Sequence, residues 1–256
     1  MSARTSNERR APARCAARQR GLSLIELMVA ILIALFLIAG IIVVEQGVNL
    51  SYSQQNGLSQ LQDEERFAMS VLTSVIGTAG YFPDPTTNSM ATALPASGLF
   101  GTTGQGIYAP NSSASAPHDS IYVRYMTAAG DGINLCDGTA AGNNVNTSYL
   151  YVAADPTSGN DLYCQLNGNS VPLVNGVTDM VILYGVATGA DNNVTEYLTA
   201  QQVTAGGYWP NVTSVQVTLT FVNPMYTQSG QVVAGQPATV SFTRVISVMG
   251  RVGTSQ

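Results

Sequence analysis

Few side chains in this 256-residue sequence can do covalent or coordination chemistry, and their spacing narrows the choice further. There is no lysine, which removes a P-loop phosphate lysine and a Schiff-base lysine together. His118 is the single histidine, so a catalytic triad would have to use it. It stands beside Pro117 in a polar stretch and reads as a solvated loop residue. Gly104-Gln105-Gly106-Ile107-Tyr108-Ala109 fits the loose form of a dinucleotide fingerprint. No strand precedes it, and Pro110 falls where the helix should start, so it reads as a loop. Asp191-Asn192-Asn193 with Glu196 offers oxygens to calcium, but without the glycine and spacing of an EF-hand; a turn is the default reading. The expectation is a chain with no catalytic residue, no metal and no cofactor. Two features remain. Cys136 and Cys164, with 27 residues between them and no histidine nearby, read as a disulfide rather than a metal site, the alternative being two half-buried thiols. Glu26 is a carboxylate at the edge of a long apolar run.

That run sets the architecture. Every residue from Leu27 to Val44 is apolar, 18 in succession. At about 1.5 Å per residue this nearly crosses a hydrocarbon layer of about 30 Å. Six of the ten arginines precede it, at 4, 9, 10, 14, 18 and 20, whereas residues 22–256 carry four arginines against fourteen acids. A cationic flank holds its own side in the cytoplasm and sends the remainder across. Cys15 therefore belongs to the cytoplasmic side, and the other two cysteines to an oxidising compartment. The exported part is too acidic and too poor in arginine for a nucleic-acid binder. A secretory signal would have a shorter apolar region and a small-residue cleavage site, where this chain has Glu45, Gln46 and Gly47. No cysteine follows the run, which argues against a lipoprotein anchor.

Helix should continue beyond the membrane surface. Leu58, Leu61, Glu65, Ala68, Leu72, Ile76 and Ala79 recur at three- or four-residue steps, with Met69 and Val75 beside the stripe. No proline occurs between Leu22 and Phe82, and Gly80-Tyr81-Phe82-Pro83 gives a stop signal. Such a helix of about 58 residues would be about 87 Å long, with Gly40 and Gly47 as its weak points. Residues 85–118 contain no Asp, Glu, Lys or Arg and read as a long surface loop with little regular structure. Strand patterns follow at Ile121–Tyr125, Tyr149–Ala153, Val181–Val186, Val212–Val222 and Ala238–Val248. The Asn223–Pro237 segment should join the last two as a hairpin. One antiparallel sheet, polar outside and packed inside, is expected. The tyrosines and Trp209 within it are read as packing residues.

Around the start of the apolar run the sequence reads Arg20-Gly21-Leu22-Ser23-Leu24-Ile25-Glu26-Leu27-Met28-Val29-Ala30. It resembles the class III signal of type IV pilins and type II secretion pseudopilins: a short basic leader ending in glycine, then an apolar stretch with glutamate at its fifth position. The resemblance implies cleavage after Gly21 by the prepilin peptidase and N-methylation of Leu22, which departs from the usual phenylalanine. A carboxylate inside a membrane costs up to about 2.5–3.5 kcal/mol and needs a partner. After cleavage the nearest strong cation is the Leu22 amine, the chain's own or a neighbour's, so Glu26 would give assembly its register. Arg66-Phe67-Ala68-Met69 through Val75-Ile76-Gly77-Thr78-Ala79-Gly80-Tyr81 resembles the PilW family of minor pilins. So do Leu173–Met180, Leu183-Tyr184-Gly185-Val186 and Phe242–Val248.

The resulting expectation is an α+β, type IV pilin-like fold. Residues 1–21 form a cytoplasmic leader. Residues 22–80 form the long N-terminal helix, with 22–44 transmembrane, packed on an antiparallel sheet in a periplasmic head, 81–256. The family likeness implies a non-enzymatic minor pilin that helps initiate assembly and contributes to motility and adhesion. Its implied partners are the prepilin peptidase, the major pilin and FimU-, PilV-, PilX- and PilE-like minor pilins, with a PilY-type tip adhesin. It would sit in the inner membrane before entering the pilus. A J-like pseudopilin of type II secretion is the nearest rival; a signal-anchored periplasmic enzyme or binding domain is a more distant one.

Overall fold

The computed structural model describes residues 23–111, 117–156, 159–166, 168–189, 193–228, 231–233 and 235–248. It comprises two compact units, one running to Ser51 and the other starting at Tyr52. Helix α1 spans Leu24–Gly77, 54 residues without a break. It opens where the Ser23 carbonyl accepts from the N–H groups of Glu26 and Leu27. It continues through Gly40 and Gly47, since apolar and amide-bearing neighbours with good helix propensity outweigh about 1 kcal/mol per glycine. The exit is at Gly80, whose φ of +75° lies in the left-handed region that a glycine enters without steric cost.

In the second unit α1 buries Leu61, Ala68, Met69, Leu72, Val75 and Ile76, the stripe that the helical period marks out. Leu58 is exposed, and Glu65 is half-buried at its margin. The stripe packs into one hydrophobic cluster with residues from two antiparallel sheets. The first sheet is a meander of β1 (Ile107–Tyr108), β2 (Ile121–Met126), β3 (Val145–Asp155), β4 (Gly159–Leu166) and β5 (Asn169–Asn175), hydrogen-bonded in that order. Three strands supply most of the second sheet: β6 (Val177–Val186), β7 (Glu196–Leu198) and β8 (Val212–Val222). A two-residue hairpin of β9 (Thr227–Gln228) and β10 (Gln231–Val232) leads to β11 (Thr239–Ser247). The second sheet's order is β11-β8-β6-β7. Alternation is clean in β8, where Val215, Val217, Leu219 and Phe221 are buried and their neighbours are less so.

Two sheets stand where one was expected. Gly176 is the sole residue between β5 and β6, and its φ of +72° lets the chain turn out of one sheet into the other. The hairpin between β8 and β11 forms as expected, Thr239 facing Val222 and Ser247 facing Ser214. The 85–118 segment departs from a plain surface loop. It forms a short helix α2 (Met90–Ala93) capped by Ser89, then β1, and it buries Leu94, Phe100 and Ile107. Helix α3 (Ala200–Gly206) carries a capping box in which Thr199 accepts from the Gln202 N–H.

Candidate functional site: an apolar helix and the head that it enters

Residues 24–50 of α1 are exposed along every side, Phe36 at 79%. This helix is long and apolar enough to cross a membrane. Glu26 sits in its first turn, where the unpaired N–H groups and the helix dipole favour a carboxylate. Among the described residues no side chain donates to it. Gly21, Leu22 and Cys15 lie outside the described residues.

In the head, Cys136 and Cys164 form the expected disulfide, with 6.3 Å between their Cα atoms. Both residues are buried. The bridge ties the 134–140 loop to β4 and borders a groove of 380 Å³ lined by Phe67, Val71, Leu135 and Leu173. Asp137, next to Cys136, accepts from the N–H and hydroxyl of Thr139, and these bonds hold its carboxyl below the usual range.

Chain crossing decides the helix exit. The Gly80 N–H donates to the Arg124 carbonyl at 2.9 Å, and the Arg124 N–H donates to the Gly106 carbonyl at 2.7 Å. A Cβ on Gly106 would stand 2.2 Å from the Gly80 nitrogen. Gly106 of the loose dinucleotide fingerprint therefore serves a backbone crossing, and the segment is only partly the loop that the Pro110 argument predicts, since Ile107–Tyr108 form β1. Arg124 itself is 4% exposed. Its guanidinium donates to the carbonyls of Pro95 (2.8 Å) and Gln105 (2.9 Å) and lies 4.3 Å from the centroid of the Phe100 ring. Burial pushes its pKa down, but four carbonyl contacts and an aromatic face replace water around the cation. Sequence alternation places Arg124 on the polar side of β2; the structure agrees with the parity and covers that side with the 94–105 segment.

His118 differs from the expected solvated residue. Its Nδ1 donates to Asp179 Oδ1 at 2.8 Å, tying the segment before β2 to β6. It lines a hollow of 380 Å³ with Ser120, Tyr149, Tyr151 and Asn160. Among the described residues no hydroxyl bonds to the other ring nitrogen, so the pair lacks the third member of a nucleophilic relay. Tyr122, Tyr149, Tyr151 and Tyr163 stack in succession across β2, β3 and β4, with centroids 4.1, 4.7 and 5.6 Å apart. Each inner ring has both faces covered by its neighbours, which is packing, as expected. Of the candidate calcium ligands, Asp191 and Asn192 lie outside the described residues. Among the described residues no three His, Cys, Asp or Glu side chains group as metal ligands.

Sequence reasoning missed Gly106 as a crossing point, Arg124 as a buried clamp and the His118–Asp179 tie. An arginine inside the run Ile-Tyr-Val-Arg-Tyr-Met was the one available signal. Compared with known families, residues 149–245 match the model for Type IV Pilus-assembly protein W, covering most of β3 and continuing into β11. Residues 16–42 match the prokaryotic N-terminal methylation motif, a stretch that includes Gly21 and Leu22 and runs into the first part of α1. No curated protein matches the chain.

Proposed function

Because the matches to assembly protein W and to the methylation motif make this chain a type IV pilus minor pilin of the PilW family, we propose that it enters the filament by a processed, methylated N-terminus. Cleavage after Gly21 frees the Leu22 amine. Glu26 pairs with that amine, or with a neighbouring subunit's, as the apolar half of α1 leaves the inner membrane for a core of like helices. The head faces the periplasm first and the pilus surface afterwards. There it joins other minor pilins of the FimU, PilV, PilX and PilE types, initiating assembly and supporting motility and adhesion, with a PilY-type adhesin at the tip.

One observation carries this reading: a single unbroken helix has a first-turn carboxylate, an apolar half whose side chains are exposed, and a second half that packs on a sheet. The family is structural, and the chain's part in it is mechanical. Burying Glu26 in hydrocarbon is tolerable only with a cation beside it, so pairing selects one axial register. The test is the mass of the N-terminal peptide from protein in the membrane of a piliated host. A peptide starting at a methylated Leu22 is expected, and Glu26→Ala should leave processing intact while removing the subunit from sheared pili. An intact leader in the native protein would overturn the reading.

A further inference from the structure

We propose that β11 is a docking edge for an extended strand of a different polypeptide, one that sets an Asp or Glu against Arg244. The two sheets have four edges among the described residues, and three are blunted. Strand β1 is two residues long and is continued by the helix exit, where the Met126 N–H donates to the Tyr81 carbonyl at 2.8 Å. Strand β7 has three residues. In β5 there is Pro172, and its pairing with β4 shifts register at Leu162/Tyr163. Proline, bulges and short length are the usual ways of closing an edge to further pairing.

Strand β11 has none of these. Its nine residues pair with β8 in unbroken register and contain no proline. In an antiparallel pair alternate residues turn their N–H and C=O groups away from the partner. Among the described residues no turn, loop or side chain bonds to the outward backbone of 239–247. Only the pairs Thr218–Thr243 and Thr220–Ser241 join side chains, and both lie across the β8–β11 ladder itself. Val245 is 53% exposed. An open row of alternating donors and acceptors fits one occupant, another strand.

Arg244 decides which strand. It faces Val217 across the ladder, so it shares the core-side face with Phe242 and Ile246, yet it is exposed and no carboxylate pairs with it among the described residues. An inward charge on an edge rejects strands that leave it unpaired, and an acid on the incoming strand reverses that rejection. A second copy pairing β11 with β11 offers no acid, because residues 197–256 contain neither Asp nor Glu. The charge therefore calls for a different chain.

The inference rests on the pilus reading only for its expected source of partner, another pilus polypeptide. The experiment uses the full chain in its piliated host, with a photocrosslinking phenylalanine analogue in place of Ser241 or Val245. Both positions should cross-link to one segment of another polypeptide, at sites four residues apart in a stretch bearing an acid. Arg244→Glu should cut that yield at least tenfold while protease resistance of the head is unchanged, and an acid→Arg exchange in the partner should restore it. Cross-links to a second copy, cross-links to unconnected sites, or an Arg244→Glu yield equal to wild type would each overturn the proposal. So would no cross-link at all while pili form. An intact leader accompanied by the expected cross-links would sink the pilus reading and leave the edge standing.

Discussion

The two halves of α1 have similar helical backbone and opposite fates. Residues 27–44 are apolar on all sides and exposed on all sides, whereas Leu61 through Ile76 keep one apolar stripe and bury it completely. A stripe states that its partner is in the same chain, since one face suffices for one sheet. An unstriped apolar rod has no preferred face for an intramolecular partner, and only lipid or a ring of other helices can cover it. The difference lies in period rather than in hydrophobic content, and it separates the fold of the head from the assembly of the subunit.

Paired substitutions test that division, and they carry the largest effect expected. Leu72 is fully buried. Leu72→Ala should cost the head about 2–5 kcal/mol, the range for a leucine cavity in a core that only partly collapses. Leu32→Ala, in the exposed half, should shift the head's denaturation midpoint hardly at all, because Leu32 is 55% exposed and its truncation opens no core cavity. Urea denaturation followed by the Trp209 fluorescence measures both. Equal losses would mean that the halves form one cooperative unit and would break the comparison.

How much was legible follows the same line. The helix, its stripe and the strands of β8 and β11 come straight from periods of 3.6 and 2 in side chains with one environment per face. Strands β4 and β5 did not. Gly159-Asn160-Asp161 reads as a turn and Pro172 as a breaker, although Leu162, Cys164 and Leu166 alternate beneath these signals as buried residues. There the disulfide and cross-strand pairing override local propensity. The division into two sheets was equally hidden, because alternation says which face is inside and not which strands are neighbours. At the site, Cys136 and Cys164 were readable from compartment and count. Arg124, Gly106 and His118 were not, because each is defined by carbonyls, a backbone crossing or a carboxylate far away in sequence.

A smaller effect sharpens the boundary at which the packed half ends. The Cβ of Gly106→Ala would meet Gly80 nitrogen at 2.2 Å and the Ala79 carbonyl carbon at 2.7 Å. Both are backbone, so neither can swing aside as a side-chain tip would. The chain must shift, at a cost of about 1–3 kcal/mol, typical of overpacking. Gly40→Ala has nothing within 4 Å. It should leave the head unchanged and raise helix propensity by about 1 kcal/mol. Thermal melts of the two variants give the contrast directly. A melt of Gly106→Ala indistinguishable from wild type would show that the crossing is slack.

The smallest effect concerns a core group that works against the packing around it. Tyr184 is buried in β6 and touches Trp209 edge-on at 5.1 Å, yet its hydroxyl finds no hydrogen-bond partner among the described residues. An unpaired buried hydroxyl costs about 1–3 kcal/mol, so Tyr184→Phe keeps the ring contact and should stabilise the head by about 1 kcal/mol at neutral pH. The pH profile separates this from a general packing effect. Burial pushes the Tyr184 phenol well above the ordinary tyrosine value, and the Asp119 carboxylate acts in the same direction. The folded state therefore holds a proton that the unfolded state releases near pH 10. Stability from this site is intact below that pH and falls as pH rises toward the folded pKa. Tyr184→Phe removes that slope. Its advantage over wild type should widen steadily above pH 10. Alkaline loss should persist in part, because Tyr125, raised by burial as well, stays in place. A constant difference between the two proteins from pH 7 to pH 11 would mean that the Tyr184 phenol ionises as readily in the folded state as in the unfolded one, against its burial in the core.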